Sequence, residues 1–364
     1  MVRSPDLTTR VETWPLPESR LRSRLRHSVS SSTSVFRSTL AFLLAEGFQR
    51  RGVRVDFGAH LPLMDFGGHR YTLEHLLAYA ESADRLGFKA LAVNDHMVFS
   101  VPWLDGPTAL AAVLAHSGSM TLATTVALPV VRGPVQLAKA LGAIDRLSGG
   151  RMIVAVGPGS SQRDYEAIGI DFEERWQRLD EAIQVMRVLW SDDAEPFTGR
   201  FYSTEGIDLQ PRPAQLSGPP IWVGSWGSKA GLRRTARLGD GWLASAYNTT
   251  PGDFKDAWER LQIDVAESGK DPAAFPNGLA TMWFYLTDDQ AVAERVFRER
   301  LLPTIRRPEE ILRDRLPVGP PERFAEKLSA FRDAGVQRVF IWPVTDELDQ
   351  LERFAETVAP LLEP

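Results

Sequence analysis

The chain has 364 residues, 43% of them apolar and 24% charged, so a large buried core is within reach and disorder is not its default. A formal net charge of −5 argues against nucleic acid as the main partner, since phosphate backbones call for a clustered basic surface. The absence of cysteine excludes disulfides, thiolate metal sites and cysteine nucleophiles and fits a reducing cytoplasm, and no apolar run approaches the roughly 20 residues that span a bilayer.

The first 50 residues differ from the rest. They hold eight Arg against four acids, a balance of +4 that leaves −9 for the remainder. The stretch Arg20-Leu-Arg-Ser-Arg-Leu-Arg26 runs into a serine-rich segment and a short apolar patch, Leu40 to Leu44. An Arg- and Ser-rich, acid-poor leader is one reading. The simpler one is a poorly ordered extension over residues 1–52, with the folded domain at 53–364.

From Val53 onward, short β-rich runs alternate with amphipathic helical stretches, the pattern of a parallel sheet built from βα units. Strands are predicted at Val53–His60, Ala90–Asn94, Thr121–Val126, Met152–Val156, Ile221–Val223, Gly241–Ala244, Leu279–Leu286 and Arg338–Trp342. Helices are predicted to begin near Leu73, Pro107, Pro134, Phe172, Lys229, Pro251, Pro320 and Asp346. Pro107, Pro134 and Pro251 suit first helical positions, where a missing N–H costs nothing. Eight strands and eight helices give an α/β fold, a (β/α)8 TIM barrel. A Rossmann sheet would open on a Gly-rich turn, whereas the first turn here reads His60-Leu-Pro-Leu. Two insertions interrupt the alternation: 192–215 after helix 4, and 288–317 after strand 7, helical in its first half. Connections of that length are usually functional or mobile.

Barrel chemistry is built at the C-terminal ends of strands. Those positions hold His60, Asn94-Asp95-His96, Thr125-Val126, Gly157-Pro158-Gly159-Ser160, Gly224-Ser225, Ser245 and Trp342. They lack the paired carboxylates of a glycosidase, a Schiff-base lysine and a two-His-one-carboxylate set, so no metal site is expected. Asp95-His96 offers a proton-handling histidine near neutrality, or a pair that only bonds neighbouring loops. Gly157–Ser160 offers a nest of backbone N–H groups, or just a turn. Gly224-Ser225 leads into a helix whose N-terminus is an anion site, or a plain strand-to-helix turn. Trp103, Trp226, Tyr247 and Trp342 suggest a partly apolar pocket, or ordinary barrel packing.

Several runs resemble the bacterial luciferase-like flavin and deazaflavin oxidoreductases. They are Leu128-Pro-Val-Val-Arg-Gly-Pro-Val-Gln-Leu-Ala-Lys139, Ala143-Ile-Asp-Arg-Leu-Ser-Gly-Gly-Arg151, Val156-Gly-Pro-Gly-Ser-Ser161, Phe172-Glu-Glu-Arg-Trp176, Pro220-Ile-Trp-Val-Gly224 and Leu238-Gly-Asp-Gly-Trp242. The resemblance spans Val53 to Pro360 in order. It implies a luciferase-like barrel with a cofactor across its mouth, propped by a bulge with a cis peptide at Thr125–Val126. An Asp-His at the end of strand two resembles the branch using the 5-deazaflavin coenzyme F420. There Asp95 is expected to contact the ring and His96 to act near the transferred hydride. The turns Gly157–Ser160 and Gly224-Ser225 are expected to hold the cofactor's chain and phosphate. A well-known sugar-phosphate member has glutamate where this chain has Ser160, which leaves substrate and acid–base assignment open. The resemblance also implies a homodimer.

The expectation is therefore an oxidoreductase moving a hydride between coenzyme F420 and a small organic substrate, with no nucleic-acid or membrane partner. The cofactor carries the chemistry and the protein supplies positioning. The alternatives are an FMN-dependent monooxygenase using reduced flavin and O2, and a cofactor-binding barrel with little turnover. A lyase or hydrolase using Asp95-His96 lacks a second catalytic partner.

Overall fold

The computed structural model describes residues 55–67 and 71–362. The extension expected at 1–52 lies outside the described residues. Eight parallel strands close a ring: β1 Asp56–His60, β2 Ala90–Val93, β3 Thr121–Ala127, β4 Met152–Val156, β5 Ile221–Gly224, β6 Gly241–Ser245, β7 Asn277–Leu286 and β8 Arg338–Pro343. Each pairs with its neighbours in chain order, and β8 pairs back onto β1. This is the (β/α)8 barrel the alternation predicts.

Met152–Val156 has the expected bounds and the other strands depart by one or two residues where the described residues allow comparison, the expected start of β1 at Val53 lying outside them. β7 begins two residues early, at Asn277, because its side chain bridges to Gly335 O (3.0 Å) and the Gln337 N–H (3.0 Å). That tertiary pairing overrides the turn preference of asparagine. β3 runs through Val126 to Ala127, with a shift in its pairing to β4 between Thr125 and Ala127. Three short helices escaped the sequence reading: Pro129–Arg132 after β3, Gln162–Ile168 after β4 and Glu309–Arg315 in the second half of segment 288–317. The helix expected near Phe172 opens with a single 3-10 turn, Phe172–Glu174, capped by Asp171, and continues as Arg175–Trp190.

Segment 192–215 stays irregular and is pinned by buried Asp145. That carboxylate accepts from Ala214 N (2.9 Å), Gln215 N (3.1 Å) and Gln215 Nε2 (2.7 Å). Segment 288–317 folds into helical pieces at Gln290–Val296, Phe297–Leu301, Leu302–Thr304 and Glu309–Arg315. Val318–Gly319 then pairs with the end of β7.

The core has two parts. One lies between the strands and the surrounding helices and contains Leu91, Val93, Leu122, Val154, Val223 and Ile341 among many others. The other contains no helix residue: Ala90, Ala92, Ala123, Ala155, Trp222, Leu243, Ala280 and Phe340, with Val126 packed against it. Side chains alternate along a strand, so this second set is the barrel interior. Alanines on β2 to β4 are matched by Trp222 on neighbouring β5, in register with Ala155, and by Phe340 on β8. One step further along the same faces lie His60, Asn94, Gly157, Gly224, Ser245 and Trp342, the layer at the barrel mouth. No helix of the described residues is long and apolar enough to cross a membrane.

Candidate active site

The mouth has two unlike halves. Over β3 to β5 it is small and apolar. The Thr125–Val126 peptide is cis, as the resemblance implied, and the Thr125 hydroxyl donates to Val93 O (3.2 Å), tying the bulge to β2. Val126 sits between two glycines. A Cβ on Gly157 would stand 3.0 Å from its Cγ2, and a Cβ on Gly224 would stand 2.9 Å from its Cγ1. Any other residue at either position would displace Val126, so the glycines serve as the flanks of a shelf. Gly159 takes φ +80°, the left-handed region that favours glycine, and the Tyr165 hydroxyl donates to Pro158 O. Ser160 is exposed, while Ser161 caps the helix Gln162–Ile168.

Ser225 is buried, and its hydroxyl accepts from Gly227 N (3.3 Å). Ser228 then caps the helix Lys229–Leu238 by accepting from Gly231 N (3.2 Å). That helix has no acid in its first turn and opens on exposed Lys229. A cation at the positive end of the helix dipole leaves the position suited to an anion.

His96 follows β2 and is held by a carboxylate that the sequence reading did not single out. Asp164 is buried, and its Oδ2 lies 3.0 Å from His96 Nδ1. Its Oδ1 accepts from Met97 N (3.1 Å) and Val98 N (2.6 Å). A carboxylate oxygen only accepts, so Nδ1 carries the hydrogen. Nε2, on the far side of the ring, has no hydrogen bond among the described residues. The signal for Asp164 was legible: Ser161-Gln-Arg-Asp164 has capping-box spacing directly after a strand-end glycine turn.

Asp95 is engaged elsewhere. Arg132 grips it from two sides, Nε to Oδ2 at 2.6 Å and a terminal nitrogen to Oδ1 at 2.7 Å, and Leu128 N approaches Oδ2 at 3.4 Å. Arg132 also bonds Asp105, and these two carboxylates raise its pKa against the opposing effect of burial. Asp95 thus ties the end of β2 to the turn behind Val126 through Arg132.

The other half of the mouth is aromatic. His60 stacks on Trp342 with ring centroids 3.7 Å apart, and Trp342 meets Trp103 (5.8 Å) and Trp283 (5.7 Å). Trp103 in turn meets His96 (4.7 Å) and Phe99 (4.8 Å), so the wall reaches the histidine. Tyr247 packs on Trp283, and Arg307 lies over Tyr247 and Trp226. Trp103, Tyr247 and Trp342 join as the sequence suggested; Trp283, Phe99 and Arg307 were missed, the last two lying in connections rather than at strand ends.

Burial pushes the His60 pKa from 6.5 down to about 3, only partly opposed by its hydrogen bond to Leu61 O. Between those values the unfolded chain holds a proton that the folded chain refuses. Stability is therefore expected to fall as pH drops below 6.5, by roughly 1.4 kcal/mol per pH unit from this residue. Urea midpoints at about pH 6.5 and about pH 4.5 check this: His60→Phe should lose distinctly less on acidification than the wild type. Equal losses would contradict it.

Comparison with known proteins places this geometry. The family model for luciferase-like monooxygenases matches residues 63–338. The F420-dependent hydroxymycolic acid dehydrogenase of Mycobacterium tuberculosis is 29% identical, over 62% of this chain and 62% of that protein, so the chain spans under two thirds of this relative's length. The F420-dependent glucose-6-phosphate dehydrogenase of Gordonia bronchialis is 28% identical, over 79% of this chain and 93% of that protein. Among solved structures, an F420-dependent secondary alcohol dehydrogenase in complex with an F420-acetone adduct superposes with a TM-score of 0.73 at 20% identity, covering 85% of this chain and all (100%) of that one, a likeness of fold.

Proposed function

The chain belongs to the luciferase-like monooxygenase family, and from that premise we propose an oxidoreductase that uses coenzyme F420 to move a hydride to or from a small organic substrate. The observation that carries the reading is the shelf of Val126 between Gly157 and Gly224. A planar fused ring needs apolar support from below with no side chain standing beside it, and these residues fit that need. When bound, the deazaflavin supplies a ring carbon that gives or accepts a hydride in a two-electron step.

The chain's own residues do the rest. Val126 supports the ring's central part, and Asp95 with Arg132 keeps the Leu128–Arg132 turn rigid behind it. Gly157–Ser160 and Gly224-Ser225 border the cofactor's polar chain, and the first turn of Lys229–Leu238 receives its phosphate. His96 handles the proton or stabilises charge at its Nε2 while Asp164 holds Nδ1–H. The aromatic wall excludes water from the reacting atoms.

Titrating the purified protein with coenzyme F420 and with FMN, followed by fluorescence, tests the choice of cofactor. Micromolar or tighter binding of the deazaflavin and weaker binding of FMN is expected. Protein isolated yellow with one FMN per chain, and no deazaflavin binding, overturns it in favour of the oxygen-using reading.

A further inference from the structure

Ser245 and Trp226 stand at the mouth and have no part in the hydride-transfer reading. Ser245 ends β6 and belongs to a chain of hydrogen bonds whose direction the donors fix. A guanidinium has no acceptor, so Asn248 presents Oδ1 to Arg307 (3.2 Å) and its Nδ2–H to Ser245 Oγ (3.0 Å). Thr281 donates its single O–H to Ala280 O (2.6 Å). Ser245 therefore donates to Thr281 Oγ1 (2.8 Å). Every donor points the same way, from Arg307 in segment 288–317 to Ala280 in the barrel interior. Thr281 takes φ +58°, in the left-handed region that a β-branched residue adopts only where its surroundings enforce it.

The chain starts from a cation that is held but not neutralised. The Arg307 guanidinium lies over Trp226 (5.8 Å) and Tyr247 (5.7 Å), within cation–π range. Other arginines of the segment pair with acids: Arg298 and Arg313 with Glu294, and Arg315 with Asp314. Arg307 is exposed and pairs with no carboxylate among the described residues. Trp226 directly follows Ser225, so the charge stands beside the turn that borders the shelf.

We infer that Arg307 is a cofactor-binding residue that selects the phosphate-bearing form of the deazaflavin, and that Asn248, anchored through Ser245 and Thr281, is its positioning residue. The inference rests on the F420 reading and deepens it. A guanidinium with free donors takes a phosphate through charge-assisted hydrogen bonds. Two aromatic faces and a neutral amide hold it in place without cancelling its charge.

Fluorescence titration of the full chain with coenzyme F420 and with the ribityl deazaflavin, which lacks the phosphate chain, tests this. Glucose 6-phosphate, titrated alongside, stands for an anionic substrate. The wild type should prefer F420 to the ribityl form. Arg307→Gln should bind F420 roughly tenfold more weakly, the size of one charge-assisted hydrogen bond, and the ribityl form as before. Arg307→Lys should recover part of that loss, and added salt should shrink it. Asn248 separates charge from scaffolding. Asn248→Ala releases the guanidinium and should weaken F420 by a smaller factor. Asn248→Asp grips the guanidinium more firmly but cancels its charge, so it should weaken F420 more than alanine does. A merely structural role predicts the reverse order. Unchanged F420 affinity in Arg307→Gln, an equal loss for both deazaflavin forms, a loss confined to glucose 6-phosphate, or tighter F420 binding by Asn248→Asp than by Asn248→Ala overturns the inference. A wild type that binds both deazaflavin forms equally also overturns it and leaves the cofactor reading standing, whereas one that binds neither defeats both.

Discussion

His96→Ala is expected to slow single-turnover hydride transfer by roughly 10²- to 10⁴-fold, the usual share of a positioned acid or base, while deazaflavin affinity changes little. The reasoning runs from tautomer to role. Buried Asp164 takes the Nδ1 hydrogen at 3.0 Å, so the proton exchanged with a substrate is the one at Nε2. The ring cannot drift, because Phe99 and Trp103 pack on it at 4.6 and 4.7 Å. Affinity survives because the shelf under the cofactor belongs to β3, β4 and β5 and does not include His96. Rapid-mixing absorbance of the deazaflavin reads both quantities. Unchanged single-turnover transfer would remove His96 from the chemistry. A loss of binding equal to the loss of rate would make it a cofactor-binding residue instead.

Arg132→Ala is expected to destabilise the fold by about 3–5 kcal/mol, because it strips the partner from a buried carboxylate. Asp95 is 4% exposed and its two oxygens receive both arms of that guanidinium, with Leu128 N beside them. Replacing both charges, as Asp95→Asn with Arg132→Met, should recover much of the loss, since the penalty comes from the unpaired ion rather than from the pair. Urea denaturation of Asp95→Asn, Arg132→Met and the double variant measures the coupling. An Arg132→Ala variant within about 1 kcal/mol of the wild type would mean that water reaches Asp95.

The sequence carried the barrel because period and punctuation agreed: apolar runs alternated with helical stretches, and prolines stood at helix starts. It also carried most of the mouth, since strand ends are a fixed address in this architecture. What it left out depends on contacts between distant segments. Asp164 is 68 residues from His96, and only the fold brings the two together. Arg132 lay inside a run that resembled the family, yet its grip on Asp95 needed the short helix Pro129–Arg132, which four residues of mixed propensity do not announce. Trp283 was legible as a strand residue, but the irregular pairing of β7 with β8 between Leu279 and Met282 decides which way the strand end faces. His60 was read as a strand-end histidine; its neutrality comes from complete burial, which composition does not reveal.

The central claim is that the cofactor sits on Val126 between two glycines, and Gly224→Ala tests it most directly. The added methyl would lie 2.9 Å from Val126 Cγ1 and 3.3 Å from Val156 O, so the valine must move off its seat. Overpacking of this kind costs about 1–3 kcal/mol, and the account expects deazaflavin to bind at least about tenfold more weakly, as that energy implies. Circular dichroism should report an intact barrel in the same sample. An intact barrel that binds the deazaflavin as tightly as the wild type would contradict the account.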